Sequence, residues 1–392
     1  MQEYIRIDNF GAIRHIEIPD IRHLLILIGE SGSGKSTILK VLSMCRWIYK
    51  QQNIRCYLHD AGVSRSPFSH SINTYLNSTG ILDFVKTNTN ILYKRDGVEI
   101  CIVGKYDGKG ASMTVTEPEK EQLCLEKVCF ITEKRNTLPD LLSNRTSEKN
   151  VGFYVRQLFE DFKVAKEHIN ELNLKSVDVR LKLEKKNGNE MWMIEGGDEN
   201  STPYSIHLED ASSGIQSSAP LEMLLEYYTQ FYDVNSSMNN AVLKYLANTD
   251  ALKYFRPSLN VGEIQNKNID IHIEEPEMCL FPTNQVKLLN RLIAVTMMEK
   301  REYTIRTGIT THSPYLLNYL NLMFKAYDKG VYVNDVNLNF DDVNVYAVVE
   351  GQLQDLKSKN AHLIDPAYLS SPIDEIYNKY DELDGITENI SD

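Results

Sequence analysis

The sequence predicts an α/β fold with a mostly parallel core sheet, an antiparallel β side sheet and a helical insertion lobe. Three observations carry that reading. Residues Gly29-Glu30-Ser31-Gly32-Ser33-Gly34-Lys35-Ser36-Thr37 match the phosphate-cradling pattern GxxxxGK[ST] in full, between the apolar run Leu24–Ile28 and a helical pattern at Ile38, Leu39, Val41 and Leu42. Two further apolar runs, Ile269–Ile273 and Tyr303–Thr310, end in chemically useful polar residues, as strands of a parallel sheet do at their carboxyl edge. Asp96-Gly97, Asp107-Gly108 and Asn187-Gly188 mark turns between alternating segments, the signature of antiparallel hairpins.

The elements follow in order. Tyr4–Phe10 alternates apolar and polar residues like a strand, and a second strand is expected near Ile16–Ile18. The helix after Lys35 is expected to run to about Tyr49, with Arg55–Ser78 irregular around Pro67. Ile91–Tyr93 and Val98–Val103 flank the first turn, and Val128–Ile131 forms an apolar strand. A helix is expected over roughly Val151–Leu172, then a hairpin in which Val177, Val179, Leu181 and Leu183 alternate with polar residues. Leu221–Phe231 reads as a long helix and Ser236–Phe255 as a polar helical insert. The strand Ile269–Ile273, a helix over about Asn284–Glu299 and the strand Tyr303–Thr310 come next. A helix is expected to start at Pro314 with Ser313 as its cap, followed by a strand at Val343–Val349. In Ser371–Asp392 seven acids stand against Lys379 alone, which reads as a solvated helix with a frayed end; an acidic binding arm is the alternative. No internal repeat or long heptad run is visible. The expected division is an N-terminal lobe over 1–140, a helical and hairpin lobe over 141–260, the rest of the core over 261–350, and an acidic tail over 351–392.

Bulk properties narrow the function classes. A chain of 392 residues with 42% hydrophobic and 24% charged residues suits a globular protein of one large or two medium domains. The net charge of −12 argues against a surface that is basic all over, though not against a local basic patch. Cys45, Cys56, Cys101, Cys124, Cys129 and Cys279 form no CxxC pair and no zinc-spaced cluster, so they read as reduced, buried thiols. The charged, alternating N-terminus is not a signal peptide, and no apolar stretch reaches bilayer-spanning length. The expected location is cytoplasmic, with no membrane contact.

Four constellations carry chemistry. In the glycine-rich loop, backbone N–H groups can wrap phosphates at a helix N-terminus, Lys35 can reach the β- and γ-phosphates, and the Ser36 hydroxyl can sit on Mg²⁺. Ile271-His272-Ile273-Glu274-Glu275-Pro276-Glu277 ends a strand in adjacent carboxylates; Glu274 is assigned to the metal and Glu275 to activating a water, against the alternative of an exposed acidic turn. In Thr310-Thr311-His312-Ser313-Pro314, His312 can hydrogen-bond a γ-phosphate or the attacking water, where a lone histidine is otherwise a surface or core residue. Ser212-Ser213-Gly214-Ile215-Gln216 opens a helix and makes a second anion site, a simple serine N-cap being the alternative. Arg180, Lys182, Lys185 and Lys186 on the Lys175–Ile194 hairpin could meet a phosphate backbone or a protein, but read first as charges guarding an edge strand.

In this order the four constellations resemble the ATP-binding-cassette type ATPases, within them the Rad50, RecF and SMC head group, and closer still the overcoming-lysogenization-defect type ATPases of bacterial phage-defence systems. The likeness spans roughly residues 1–350. It rests on Ile7–Phe10 with the phosphate loop, Ala211–Gln216 as the signature, Glu274–Pro282 through Gln285, Thr311–Pro314, and Phe130–Arg135, where the group has a strand followed by an arginine. The resemblance implies ATP and Mg²⁺ as cofactors and ATP hydrolysis as the reaction. It also implies a head-to-tail homodimer or larger oligomer, in which Lys35 and Ser36 of one subunit and Ser212 and Gly214 of the other enclose each nucleotide. A separate effector protein, a nuclease or toxin, is the expected partner, because the roughly eighty residues after His312 hold no acidic nuclease cluster on strands and no coiled-coil arms are present. DNA clamping, as in repair ATPases, and a non-hydrolysing scaffold that uses ATP only to assemble are the competing expectations. The sequence departs from the family pattern at Ser31 (asparagine in many relatives), Glu274 (aspartate), Ser213 (glycine) and Phe281 (histidine), and the lobe-joining glutamine has no identified position.

Overall fold

Five-residue runs such as Leu24-Leu25-Ile26-Leu27-Ile28, apolar on both faces, are the sequence form of a strand covered on both sides, and the computed structural model places this one inside a six-stranded sheet. The structure describes residues 2–63, 71–104, 111–197, 202–365 and 367–388; the expected Asp107-Gly108 turn and Pro67 lie outside them. The order across the sheet is Gln352–Asp355, Val343–Val349, Leu24–Ile28, Thr304–Thr311, Asn266–Glu274 and Cys124–Ile131. All neighbours are parallel except the first pair. That makes a mixed α/β fold with a mostly parallel core sheet, antiparallel side sheets and helices.

The alternation along Leu24–Ile28 divides the interior. Leu24, Ile26 and Ile28 face one core, shared with the helices Ser213–Glu226, Pro282–Ile293 and Pro314–Asp328. Leu25 and Leu27 face another, shared with the helix Lys35–Asp60 and with a five-stranded antiparallel sheet in the order Ile13–Ile18, Glu3–Phe10, Val85–Arg95, Val98–Gly104, Ser112–Val115. A second antiparallel sheet runs Tyr204–His207, Asn189–Gly196, Val179–Lys186, Glu171–Leu174. The two expected hairpin turns within the described residues are left-handed at both central residues, Asp96 and Gly97 (φ 48° and 81°) and Asn187 and Gly188 (53° and 80°), the geometry that matches strand twist.

Several expectations are corrected. The helix after the phosphate loop continues to Asp60 instead of stopping near Tyr49, and Ile72–Ser78 is helical too. Past Tyr49, Gln52 and Asn53 are buried despite their polarity. Asn53 donates to the Tyr49 carbonyl and accepts from the Cys124 N–H, tying the helix to the core sheet. The helix expected over Val151–Leu172 stops at Ala165, and Glu171–Leu174 is a strand. The strand carrying Arg180, Lys182 and Lys185 is not an edge, for it pairs on both sides. These side chains are ion-paired with Glu171 (2.9 Å), Glu195 (3.1 Å) and Glu190 (3.2 Å), which offsets three of the four charges of the basic patch. Cys279 is exposed, not buried, and sits at a left-handed turn position (φ 61°). Gln352–Asp355, unanticipated in the sequence, closes one edge of the core sheet.

A buried charge network locks the two sheets together. Glu3 accepts from Arg46 at 2.8 and 2.9 Å, and Arg306 pairs with Asp270 at 2.7 Å and Glu126 at 3.0 Å. Arg95 reaches Glu126 at 3.1 Å. Three arginines thus face three carboxylates out of water, an arrangement costly to leave half made.

Candidate functional site

Register delivers the chemistry to one edge. Ile131 lies opposite Ile273, Glu274 opposite Thr310, and Thr311 opposite Ile28. The segments that follow these strand ends therefore emerge side by side: Thr132-Glu133, Glu275-Pro276-Glu277, His312-Ser313, and the loop Gly29–Gly34.

The loop is left-handed at Gly29, Gly32 and Gly34 (φ 150°, 81° and 113°). A Cβ on Gly29 would stand 2.6 Å from the Val348 carbonyl oxygen, whereas one on Gly32 would meet nothing within 4 Å. The loop thus packs tightly on its sheet side and is open on the other. Glu30 and Ser31 are exposed at its tip, Ser36 is half-buried and Thr37 buried. The Ser33 hydroxyl is buried with no hydrogen-bond partner. No side chain caps the helix that begins at Lys35, leaving its first-turn N–H groups and its dipole for an anion. Lys35 is buried, and its ammonium donates to the Gly29 and Glu30 carbonyls at 2.8 Å each. Burial lowers its pKa against the opposing pull of Glu275 and Glu277, so both carboxylates lie within its electrostatic reach.

Glu274 is buried. Its Oε2 accepts from the Thr132 hydroxyl at 3.1 Å and the Glu133 N–H at 3.4 Å. Its Oε1 lies 3.4 Å from the Lys40 ammonium and has no hydrogen-bond donor. Burial, together with the Glu133 carboxyl beside it, pushes Glu274 up to about 7. Glu275 adopts a left-handed backbone (φ 44°), donates its N–H to the Thr310 carbonyl at 2.9 Å, and holds its Oε1 3.4 Å from His312 Nε2. Glu277, to which the sequence reading gave no role, accepts from the Thr311 hydroxyl and the His312 N–H at 2.7 Å each. Its other oxygen is buried and unpartnered, and burial raises its pKa. Ser313 accepts from the Leu316 N–H and donates to Gln285 at 2.6 Å, which fixes the turn that carries His312.

Thr132 and Glu133 were also missed. Their signal was the apolar strand ending at Ile131, already noted for the arginine that follows; what was hidden is that this strand pairs directly with the one ending in Glu274.

A divalent cation fits the donor set. The residues supply hard oxygens, the Ser36 hydroxyl and the Glu274 Oε1 that no hydrogen bond satisfies. Among the described residues no three His, Cys, Asp or Glu side chains cluster for a metal. A Mg²⁺ held mainly by phosphates and water asks for only one or two protein oxygens.

The helix tip Ser212-Ser213-Gly214 stands apart. Ser212 and Ser213 are exposed, and the Ser212 side chain makes no capping hydrogen bond, so the simple-cap alternative is not realised. Gly214 is buried against the turn after Glu277, where a Cβ would stand 2.8 Å from the Cys279 carbonyl oxygen. Among the described residues no hydrogen bond or ion pair joins residues 212–214 to residues 29–37. One chain thus brings Lys35, Glu274, Glu275 and His312 to a common edge and presents the two serines outward.

No family model matches the chain, and no curated protein matches it. Among solved structures it is similar to the SMC head domain from Thermotoga maritima (9% identity, 91% of this chain and 100% of that chain, TM-score 0.40). It is also similar to an Smc head domain with an extended coiled coil bound to the C-terminal domain of ScpA, derived from Pyrococcus furiosus (10% identity, 96% and 99% covered, TM-score 0.42). A nucleotide-free ATP-binding cassette from an ABC transporter matches at 13% identity over 92% and 93%, with a TM-score of 0.34. Among the described residues no helix is long and apolar enough to cross a membrane.

Proposed function

We propose that the chain is an ATP-binding-cassette type ATPase that assembles head to tail around ATP and switches a separate effector protein, a nuclease or toxin, in bacterial phage defence. The observation that carries the ATPase part is the convergence of Lys35, Glu274, Glu275 and His312 at one sheet edge beside an uncapped helix N-terminus. The phage-defence part rests on the sequence resemblance. The outward-facing Ser212 and Ser213 support assembly, because an uncapped helix tip that touches no phosphate loop of its own chain is free to meet that of a second copy.

The residues divide the work. The loop N–H groups and Lys35 hold the phosphate chain, and Lys35 exchanges its two carbonyl acceptors for phosphate oxygens. Ser36 and Glu274 would hold Mg²⁺, which would neutralise charge developing on the phosphates. Glu275, the carboxylate open to solvent, accepts a proton from the attacking water. His312 orients Glu275, and Glu277 fixes the backbone at His312. The partner copy's helix tip completes the anion site.

ATP turnover and assembly mass of wild type and two variants test this. Glu275→Gln is expected to bind ATP, to turn over at least tenfold more slowly (about 1.4 kcal/mol in barrier), and to accumulate as a dimer or larger assembly. Lys35→Ala is expected to lose ATP affinity, and unchanged binding there refutes the assignment. Wild type that assembles with ATP yet shows no turnover selects the scaffold reading.

A further inference from the structure

Arg135 is fully buried, and no carboxylate in the described residues pairs with it directly. All its hydrogen bonds go to main-chain carbonyls of three segments. Nε donates to Ser217 at 3.1 Å, Nη1 to Glu274 at 2.7 Å and Thr132 at 3.3 Å, and Nη2 to Glu275 at 2.7 Å and Pro276 at 3.3 Å. An arginine has five N–H donors, and here five carbonyls receive them. Burial lowers its pKa to about 10, with Glu277 and Glu275 holding it up from farther off. A buried cation whose hydrogen bonds all go to neutral carbonyls is a costly way to bind a turn. A hydrophobic plug would fill the space, but it would not join these segments.

What it joins is specific. Ser217 lies one turn into the helix whose tip is Ser212-Ser213-Gly214. Glu274, Glu275 and Pro276 form the turn that aims the Glu275 carboxylate. Gly214 meets the same turn from the other side, at the Cys279 carbonyl. The tip and the turn are therefore fastened at two points and move as one piece. We propose that Arg135 is a positioning residue that transmits engagement of the Ser212–Gly214 tip to Glu275, so that the water-activating carboxylate is set only when a nucleotide on a second copy fills the tip. This rests on the assembly reading above.

Arg135→Lys keeps the charge but offers three donors on one atom, and cannot span the three segments. Turnover is measured together with backbone hydrogen exchange of the full-length protein, with and without a non-hydrolysable ATP analogue and Mg²⁺. In wild type the analogue is expected to protect both the tip, 212–217, and the turn, 274–279. In Arg135→Lys the tip is expected to stay protected while protection of the turn is lost, with kcat down at least tenfold, KM within about twofold and assembly intact. Millimolar guanidinium is expected to restore part of the turnover of Arg135→Ala and none to Glu275→Gln. A purely structural role would lower tip protection, assembly and kcat in parallel, and that outcome overturns the proposal. Equal protection of the turn in wild type and Arg135→Lys also overturns it, while leaving the assembly reading intact. No analogue-dependent protection of the tip in wild type overturns both.

Discussion

Glu275 is held in a conformation that glutamate does not favour, and replacing it separates strain from chemistry. Its φ of 44° costs a residue with a long side chain roughly 1–2 kcal/mol relative to the right-handed region. Asparagine tolerates the left-handed region better, so Glu275→Asn recovers about 1 kcal/mol of that cost. The backbone bonds stay, since the Glu275 N–H to the Thr310 carbonyl and the Glu275 carbonyl to Arg135 use no side-chain atom. The substitution forfeits the 3.4 Å contact with His312, and a pair that open to solvent is worth about 0.2–1 kcal/mol. It also removes a negative charge that acts on Glu277. The balance is a protein more stable by up to about 1 kcal/mol, read as a rise in thermal midpoint on the order of 1 °C, with ATP turnover at least tenfold lower because a carboxamide cannot take a proton. Thermal unfolding without nucleotide and steady-state turnover are measured on the same preparation. A midpoint lowered by more than the equivalent of 1 kcal/mol refutes the strain argument, and turnover at the wild-type rate refutes the role of the carboxylate.

Two further predictions follow from packing and burial. Gly214→Ala gains up to about 1 kcal/mol of helix propensity but puts a Cβ 2.8 Å from a main-chain oxygen that cannot swing away. With overpacking of about 1–3 kcal/mol, the variant is expected to melt lower and to lose ATP-dependent assembly, and a midpoint at or above wild type counts against the close approach. His272 is fully buried between the Arg46 guanidinium and the Cys129 carbonyl, and burial first, then Arg46, pushes its pKa down from 6.5 to about 3. The folded state therefore binds fewer protons than the unfolded one. Stability present in full above pH 6.5 is expected to fall as pH drops from 6.5 toward 3, by up to about 1.4 kcal/mol per pH unit and about 5 kcal/mol in all. Unfolding free energy followed from pH 7.5 to 4.5 is expected to lose that slope in His272→Gln, and equal slopes in the two proteins contradict the assignment.

Local patterns made much of the candidate site legible. The loop Gly29–Thr37, the carboxylates Glu274 and Glu275 and the histidine His312 each follow an apolar run, and in a parallel sheet every such run ends at the same edge. Ser313 as the cap of the helix starting at Pro314 was legible for a similar reason, since capping is decided within four residues. Boundaries were less legible where burial overrode composition. Gln52 and Asn53 look like a helix end until the Cys124 N–H is found on the Asn53 side chain, an interaction across 71 residues. The lysines of Val179–Lys186 look like an edge strand until both neighbours are seen.

From its own letters the chain determined which segments could cradle phosphate, hold a metal and move a proton, because those capacities depend on residue type and on spacing within a few residues. Tertiary structure alone decided who stands beside whom. It put Glu133 next to Glu274, whose burial raises its pKa, set Glu277 under His312, turned Ser212 and Ser213 outward, and sank Arg135 among five carbonyls. Each of these depends on strand order and on chain segments far apart in sequence, and pairing across such distances leaves no periodicity for a single sequence to display.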